Sequence, residues 1–146
     1  MPKILFFLLI SFFSDVLFAA DLRFAHLGLQ QGCIDVLAQD KHGFLWIGTR
    51  NGLVRYDGNV IMTYRNNPDK PESLQEDAVI ALHYGKDGRL WVGSAENGAS
   101  YYNYATGTFT RINTNTLGKN VYRFYDDDSG QGIYAQTTTG LFFIDL

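Results

Sequence analysis

The sequence is short of several things at once. Its 146 residues contain one cysteine, Cys33, so an internal disulfide framework and a cysteine-based zinc site are both excluded. Its apolar neighbours mark Cys33 as a small core residue. There are only 3 prolines, too few for a proline-rich linker. Charge is sparse as well, at 18% of residues, with 12 Lys+Arg against 15 Asp+Glu for a net −3. A protein with no basic stripe to displace counterions from phosphates is not built as a general nucleic-acid binder. No unbroken apolar run reaches the about 20 residues that span a bilayer. No segment keeps a helical hydrophobic period. What is abundant is apolar and aromatic surface, 46% and 15% of residues, the composition of a folded chain.

The first twenty residues read as an address. Met1-Pro2-Lys3 carries one positive charge, residues 4–13 (ILFFLLISFF) are almost pure hydrocarbon, and Ala19-Ala20 stand before Asp21. A charge, a short apolar core and small residues make a secretory signal peptide over residues 1–20. Cleavage fits equally after Ala19 or after Ala20. An uncleaved anchor is the competing reading, because Val16-Leu17-Phe18 partly restores the hydrophobic stretch. A lipoprotein reading of Gly32-Cys33 is disfavoured, since Gln30-Gln31 precede it well beyond the apolar core. The mature chain is expected to work outside the cytoplasm.

That mature chain repeats itself. Ile34-Asp-Val-Leu-Ala-Gln-Asp-Lys-His-Gly43-Phe-Leu-Trp46-Ile-Gly48 matches Val79-Ile-Ala-Leu-His-Tyr-Gly-Lys-Asp-Gly88-Arg-Leu-Trp91-Val-Gly93 without a gap. Gly52, Tyr56 and Asp57 recur at Gly98, Tyr102 and Asn103 after one inserted residue. A third copy starts at Val121, reaches Gly130 by the same step, and ends in Gly140-Leu-Phe-Phe-Ile-Asp145. On that spacing Ile133 takes the tryptophan's place and Ala135 the glycine's. The copies divide the chain into a lead-in over 21–33, a first blade over 34–78, a second over 79–120 and a partial third over 121–146. Residues 22–27 (LRFAHL) read as a strand that closes the ring from a last blade.

Each copy reads as four short strands: 34–39, 45–48, 53–56 and 60–65 in the first. The turns Asn51-Gly52 and Asp57-Gly58-Asn59 are hairpin signals. The loop over 66–77 holds Pro68 and Pro71, and proline cannot donate to a ladder. Four strands in a period of about 40–45 residues describe a β-propeller blade. The expected fold is therefore all-β: a β-propeller of two and a half to three four-stranded antiparallel blades in an incomplete ring. Blades stack face to face, so Leu45-Trp46-Ile47 and Leu90-Trp91-Val92 are apolar on both faces. Trp46 and Trp91 are expected to pack between blades, and Gly48 and Gly93 to admit a neighbouring backbone.

Residues 43–58 (GFLWIGTRNGLVRYDG), residues 88–93 (GRLWVG) and the loop PDKPESL at 68–74 closely resemble the repeat of the two-component regulator propeller family. The resemblance runs from Leu22 to Leu146. It implies an extracytoplasmic sensor at the front of a larger membrane protein, dimeric, with further blades, an immunoglobulin-like domain, a transmembrane helix and an output domain downstream. That output is a histidine kinase, often a hybrid, or a GGDEF diguanylate cyclase. A ring needs about four to eight blades, so the chain is expected to be a fragment.

Loops after the second and fourth strands of a meander share one face of the disc. Here that face collects Arg50, Asn51, Glu96, Asn97, Thr137 and Thr138, polar groups without bulky anchors. They suit a small polar ligand, of sugar-like chemistry, or serve as solvated turns. No cofactor is implied. Asp126-Asp127-Asp128 lacks the alternating spacing of a calcium loop, and His26, His42 and His83 fall at different repeat positions. No catalytic residue and no metal ligand is assigned. Two other readings stand beside the sensor: a secreted propeller enzyme such as a lyase, and a self-associating propeller fragment. Contact with a membrane is expected only through a downstream segment or an uncleaved signal anchor.

Overall fold

A computed structural model describes residues 28, 32–112 and 118–146; the expected signal peptide, the ring-closing strand, His26 and part of the 113–120 loop lie outside them. No helix occurs among the described residues. Strands β1 (Ile34–Gln39), β2 (Leu45–Thr49), β3 (Gly52–Tyr56) and β4 (Ile61–Tyr64) pair in chain order as one antiparallel sheet, blade 1. Blade 2 repeats it with β5 (Val79–Tyr84), β6 (Leu90–Ser94), β7 (Ala99–Asn103) and β8 (Thr108–Arg111). Blade 3 holds β9 (Val121–Asp126), β10 (Gly132–Thr137) and β11 (Gly140–Asp145). The all-β propeller expectation holds.

The core lies between blades. Trp46, fully buried, packs with Leu74, Val79, Leu90 and Tyr102 across the first interface. Trp91 packs with Val121, Phe124, Ile133 and Ala135 across the second. Strand β6 is buried along its whole length, as a strand covered on both faces should be. Two glycines set how near the blades come. A Cβ on Gly93 would lie 2.6 Å from the carbonyl oxygen of Val121, the first residue of the next blade. A Cβ on Gly48 would lie 2.8 Å from the side chain of Val79 in the equivalent place. Gly is required here because another blade occupies the side-chain position.

Each tryptophan is held by a carboxylate from the preceding turn. Trp46 Nε1 donates to Asp40 Oδ2 at 2.8 Å, while the amides of His42 and Phe44 donate to Oδ1 at 2.9 and 3.0 Å. Burial alone would raise the Asp40 pKa; hydrogen bonds from Trp46, Tyr104, Phe44 and His42 outweigh it and hold the carboxyl below its ordinary 3.8. In blade 2 the same place is Gly85. Asp87, two residues on, supplies the carboxylate and accepts from Trp91 Nε1 at 3.1 Å.

Blades are also tied through the segments that lead into them. Gly52, at φ 122°, donates its amide to Asp77 O at 2.8 Å, two residues before β5. Gly98, at φ 80°, donates likewise to Lys119 O at 2.6 Å, two residues before β9. The next residue of each lead-in turns back to its own blade: Ala78 O accepts from Ala95 N, and Asn120 O from Thr138 N. A buried hydroxyl closes each turn at this rim, with Thr49, Ser94 and Thr137 donating to the carbonyls of Gly52, Gly98 and Gly140.

Two expectations need correction. In the third copy Ile133 does not stand in the tryptophan's place. Ile133 pairs with Asp126, as Leu45 pairs with Gln39, so Tyr134 holds the tryptophan position and Gln136 the glycine position. The reason is one extra residue, Gly132, between Gly130 and the strand core, which shifts the count from glycine to strand. Tyr134 then pairs with Phe143, ring centroids 5.0 Å apart, as Trp91 pairs with Tyr101 at 5.5 Å. The second correction concerns Cys33, which is exposed rather than part of the core. It precedes the first paired residue, Ile34, and β1 is an inner edge strand that leaves much of its length open.

Candidate functional site

The first strands of the three blades lie side by side and share an irregularity. In β1, Ile34 pairs with Thr49 and Val36 with Gly48, so Asp35 is skipped. In β5, Val79 pairs with Ser94 and Ala81 with Gly93, skipping Ile80. In β9, Val121 pairs with Thr137 and Arg123 with Gln136, skipping Tyr122. A β-bulge releases one residue from the ladder and re-aims it. All three skipped residues line one groove of about 500 Å³, together with Val36, Ala81 and Arg123.

Of the residues expected at the rim of polar turns, Arg50 reaches the groove. Its Nε lies 2.7 Å from Asp35 Oδ2, an ion pair with a half-open arginine and a largely covered carboxylate. Asn51 donates its amide to Thr49 Oγ1 at 3.0 Å inside the turn. The amides of Glu96 and Asn97 donate to Glu76 Oε2 at 2.9 and 3.0 Å, and Asn97 O accepts from Gln75 Nε2. Thr137 is buried in its turn, and Thr138 holds the lead-in at Asn120 O. These five build the rim's frame. The groove residues Asp35, Ile80, Tyr122 and Arg123 were missed by reading loops, because a bulge has no local signature. One signal was available. The second residue of each copy differs sharply where its neighbours Ile34, Val79 and Val121 stay alike.

The opposite rim carries the acidic run. Asp126 Oδ1 accepts from the amide of Lys86 at 2.8 Å, and its Oδ2 lies 3.1 Å from His83 Nε2, near in distance but without hydrogen-bond alignment. Asp128 lies 3.6 Å from Lys86 Nζ, and Asp127 accepts from Ser129 within its own turn. His42 is a turn residue whose ring lies 5.0 Å from that of Tyr104. Among the described residues no His, Cys, Asp and Glu side chains cluster as metal ligands would.

The repeat now has a geometry: a carboxylate-anchored tryptophan, a glycine under the next blade, and a hydroxyl-closed turn. A family model for the two-component regulator propeller matches residues 28–51 and 73–96, which span this unit in blades 1 and 2. These two segments carry the two-component regulator propeller repeat. A 47-residue stretch is 47% identical to histidine kinase P4 of Formosa agariphila, covering 32% of this chain and 3% of that protein. Among solved structures, the extracellular domain of a hybrid two component system from B. thetaiotaomicron superposes with a TM-score of 0.69 at 24% identity, over 77% of this chain and 17% of that one. A second extracellular domain from B. thetaiotaomicron gives 0.63 at 24% identity, over 77% and 16%. Virginiamycin B lyase from Staphylococcus aureus gives 0.54 at 17% identity, over 82% and 43%. These likenesses establish the propeller fold. The chain spans only a small part of the two-component relatives it matches.

Proposed function

We propose that these residues are the ligand-binding sensor part of a bacterial membrane signalling protein, held outside the cytoplasm, whose output is a histidine kinase or a diguanylate cyclase. The observation that carries this reading is the pair of two-component regulator propeller matches, each laid over the inner strands of a blade. The leader-like residues 1–20 support export. The role of these blades is binding rather than chemistry. Among the described residues, Asp35 and Arg123 are the charged residues lining the groove and no histidine or glutamate lines it, which favours the sensor over a lyase-type enzyme. A small polar ligand, with sugar-like hydroxyls, suits the groove and the polar rim around Arg50. On this reading the full-length protein works as a dimer through its remaining domains.

Export is tested by topology. Alkaline phosphatase fused after Leu146 is expected to be active in cells and to lose activity when residues 1–20 are removed, while a β-galactosidase fusion stays silent. An inactive phosphatase together with an active β-galactosidase would overturn the reading.

A further inference from the structure

The sequence holds two methionines, Met1 and Met62. Met62 lies on β4, the outermost strand of blade 1, directly opposite Arg55 of β3. Residues paired in this way share a face of the sheet. Arg55 reaches Tyr102 of blade 2, so Met62 stands on the face that blade 2 covers. It is nevertheless 44% exposed. That opening belongs to the joint itself, since blades 1 and 2 both have all four strands. Thr110 takes the same place in blade 2, opposite Tyr101, and is exposed as well. It is exposed even with the connecting segment tied along β8 by the bond from Phe109 N to Glu72 O at 2.8 Å.

The sulfur is held from one side. Arg55 Nη2 donates to Met62 Sδ at 2.8 Å. The same guanidinium lies 4.6 Å over the Phe44 ring and 5.9 Å over that of Trp46, and its Nη1 is 3.5 Å from the Tyr102 hydroxyl. Those contacts fix where the donor stands. A thioether sulfur has two lone pairs, and oxygen added to one or the other gives opposite sulfoxide epimers. Arg55 occupies one lone pair and leaves the other.

We propose that Met62 is an oxidation site at the joint between blades 1 and 2, and that Arg55 makes the reaction stereospecific. The oxidant is a peroxide. The unoccupied lone pair attacks one peroxide oxygen as the O–O bond breaks. The departing hydroxide takes the proton from the new S–O–H group and leaves as water. Sulfur is oxidised by two electrons to the sulfoxide, and the peroxide is reduced by two. The sulfoxide sulfur is electron-poor, so it no longer accepts from the guanidinium. Arg55 is thereby released where it bridges Phe44, Trp46 and Tyr102. This assignment stands apart from the sensor reading and from whatever the propeller binds.

The test treats the whole folded protein with hydrogen peroxide beside N-acetylmethionine. The protein is then digested, and the peptide carrying Met62 is followed by mass spectrometry. That peptide is expected to gain one oxygen at a rate within about tenfold of the free derivative, as an open thioether should. Dividing the digest between methionine sulfoxide reductases A and B, one for each epimer, reads the stereochemistry. In the parent one epimer is expected in about tenfold excess, repaired by one reductase and not by the other. Arg55→Gln is expected to give both epimers in comparable amounts. Arg55→Lys, with a shorter side chain, supplies the same comparison where Arg55→Gln does not melt cooperatively. Oxidation is expected to lower the melting temperature of the parent and to leave that of Met62→Leu unchanged. The proposal is overturned if Met62 stays reduced while the free derivative is oxidised, or if the parent yields both epimers equally. It is equally overturned if the Arg55 variants keep the single epimer, or if parent and Met62→Leu respond alike in melting.

Discussion

Tyr104 of blade 2 donates its hydroxyl to Asp40 of blade 1 at 2.7 Å, onto the same oxygen that holds the Trp46 indole. One carboxylate thus anchors a tryptophan within its blade and a tyrosine from the next. Burial first, and then the bond to Asp40, raise the Tyr104 pKa well above its ordinary 10.0, so the hydroxyl keeps its proton.

Asp40→Asn is expected to cost about 2 kcal/mol, the scale of hydrogen bonds to a charged acceptor. The folded-state pKa of Asp40 lies below 3.8, so its contribution is present above about pH 4 and is lost as pH falls through the folded value. Urea midpoints from pH 7 down to pH 3 should therefore converge for parent and variant at the acid end. A constant gap at every pH would contradict this account.

Gly93→Ala places a methyl 2.6 Å from Val121 O and 2.9 Å from the Ala81 side chain. The backbone oxygen cannot rotate away, so blade 3 must shift outward. A loss of about 1–3 kcal/mol is expected, in the range of overpacked cores. Chemical denaturation gives the value, and an unchanged midpoint would show that the interface yields freely.

Blade 2 offers a double-mutant cycle. Gly85→Asp alone brings a Cβ to 2.5 Å from Asp87 Oδ1 and sets two carboxylates together. Asp87→His alone removes the acceptor for Trp91. Each should destabilise, by about 1–3 kcal/mol. Together they recreate the Asp40 and His42 arrangement of blade 1, so the pair should lose less than the sum. Additive losses would mean that the two turns are not interchangeable.

Arg50→Gln removes an ion pair whose arginine is open to water. Such pairs contribute about 0–1 kcal/mol, so melting should barely change. Ligand-dependent output of the whole protein should fall, because Asp35 loses the partner that orients it. A large stability loss with unchanged output would reverse those roles.

Most of the fold was legible because a blade writes its packing into short-range spacing. Apolar runs at 45–47 and 90–92 with glycine beyond them gave the buried strands and the approach of the next blade. The third copy misled because Gly132 lengthens a turn, and counting from Gly130 then puts Ile133 a pairing position too far along. Cys33 misled because apolar neighbours do not reveal that pairing has not yet begun. The rim's polar turns were legible as turns. The groove was not, since the side chain released by a bulge is fixed by ladder register across two strands and leaves no mark within one.

The two rims of the disc are joined by different chemistry. At the groove rim, Gly52 and Gly98 tie neighbouring blades amide to carbonyl, bonds that do not titrate. At the other rim, Asp40 and Asp126 hold the joints between blades through their carboxylates. Acid would therefore slacken the Asp40 joint first, and blades 1 and 2 would part like pages bound along the groove side, with hydrogen exchange rising near Tyr104 before it rises near Gly52.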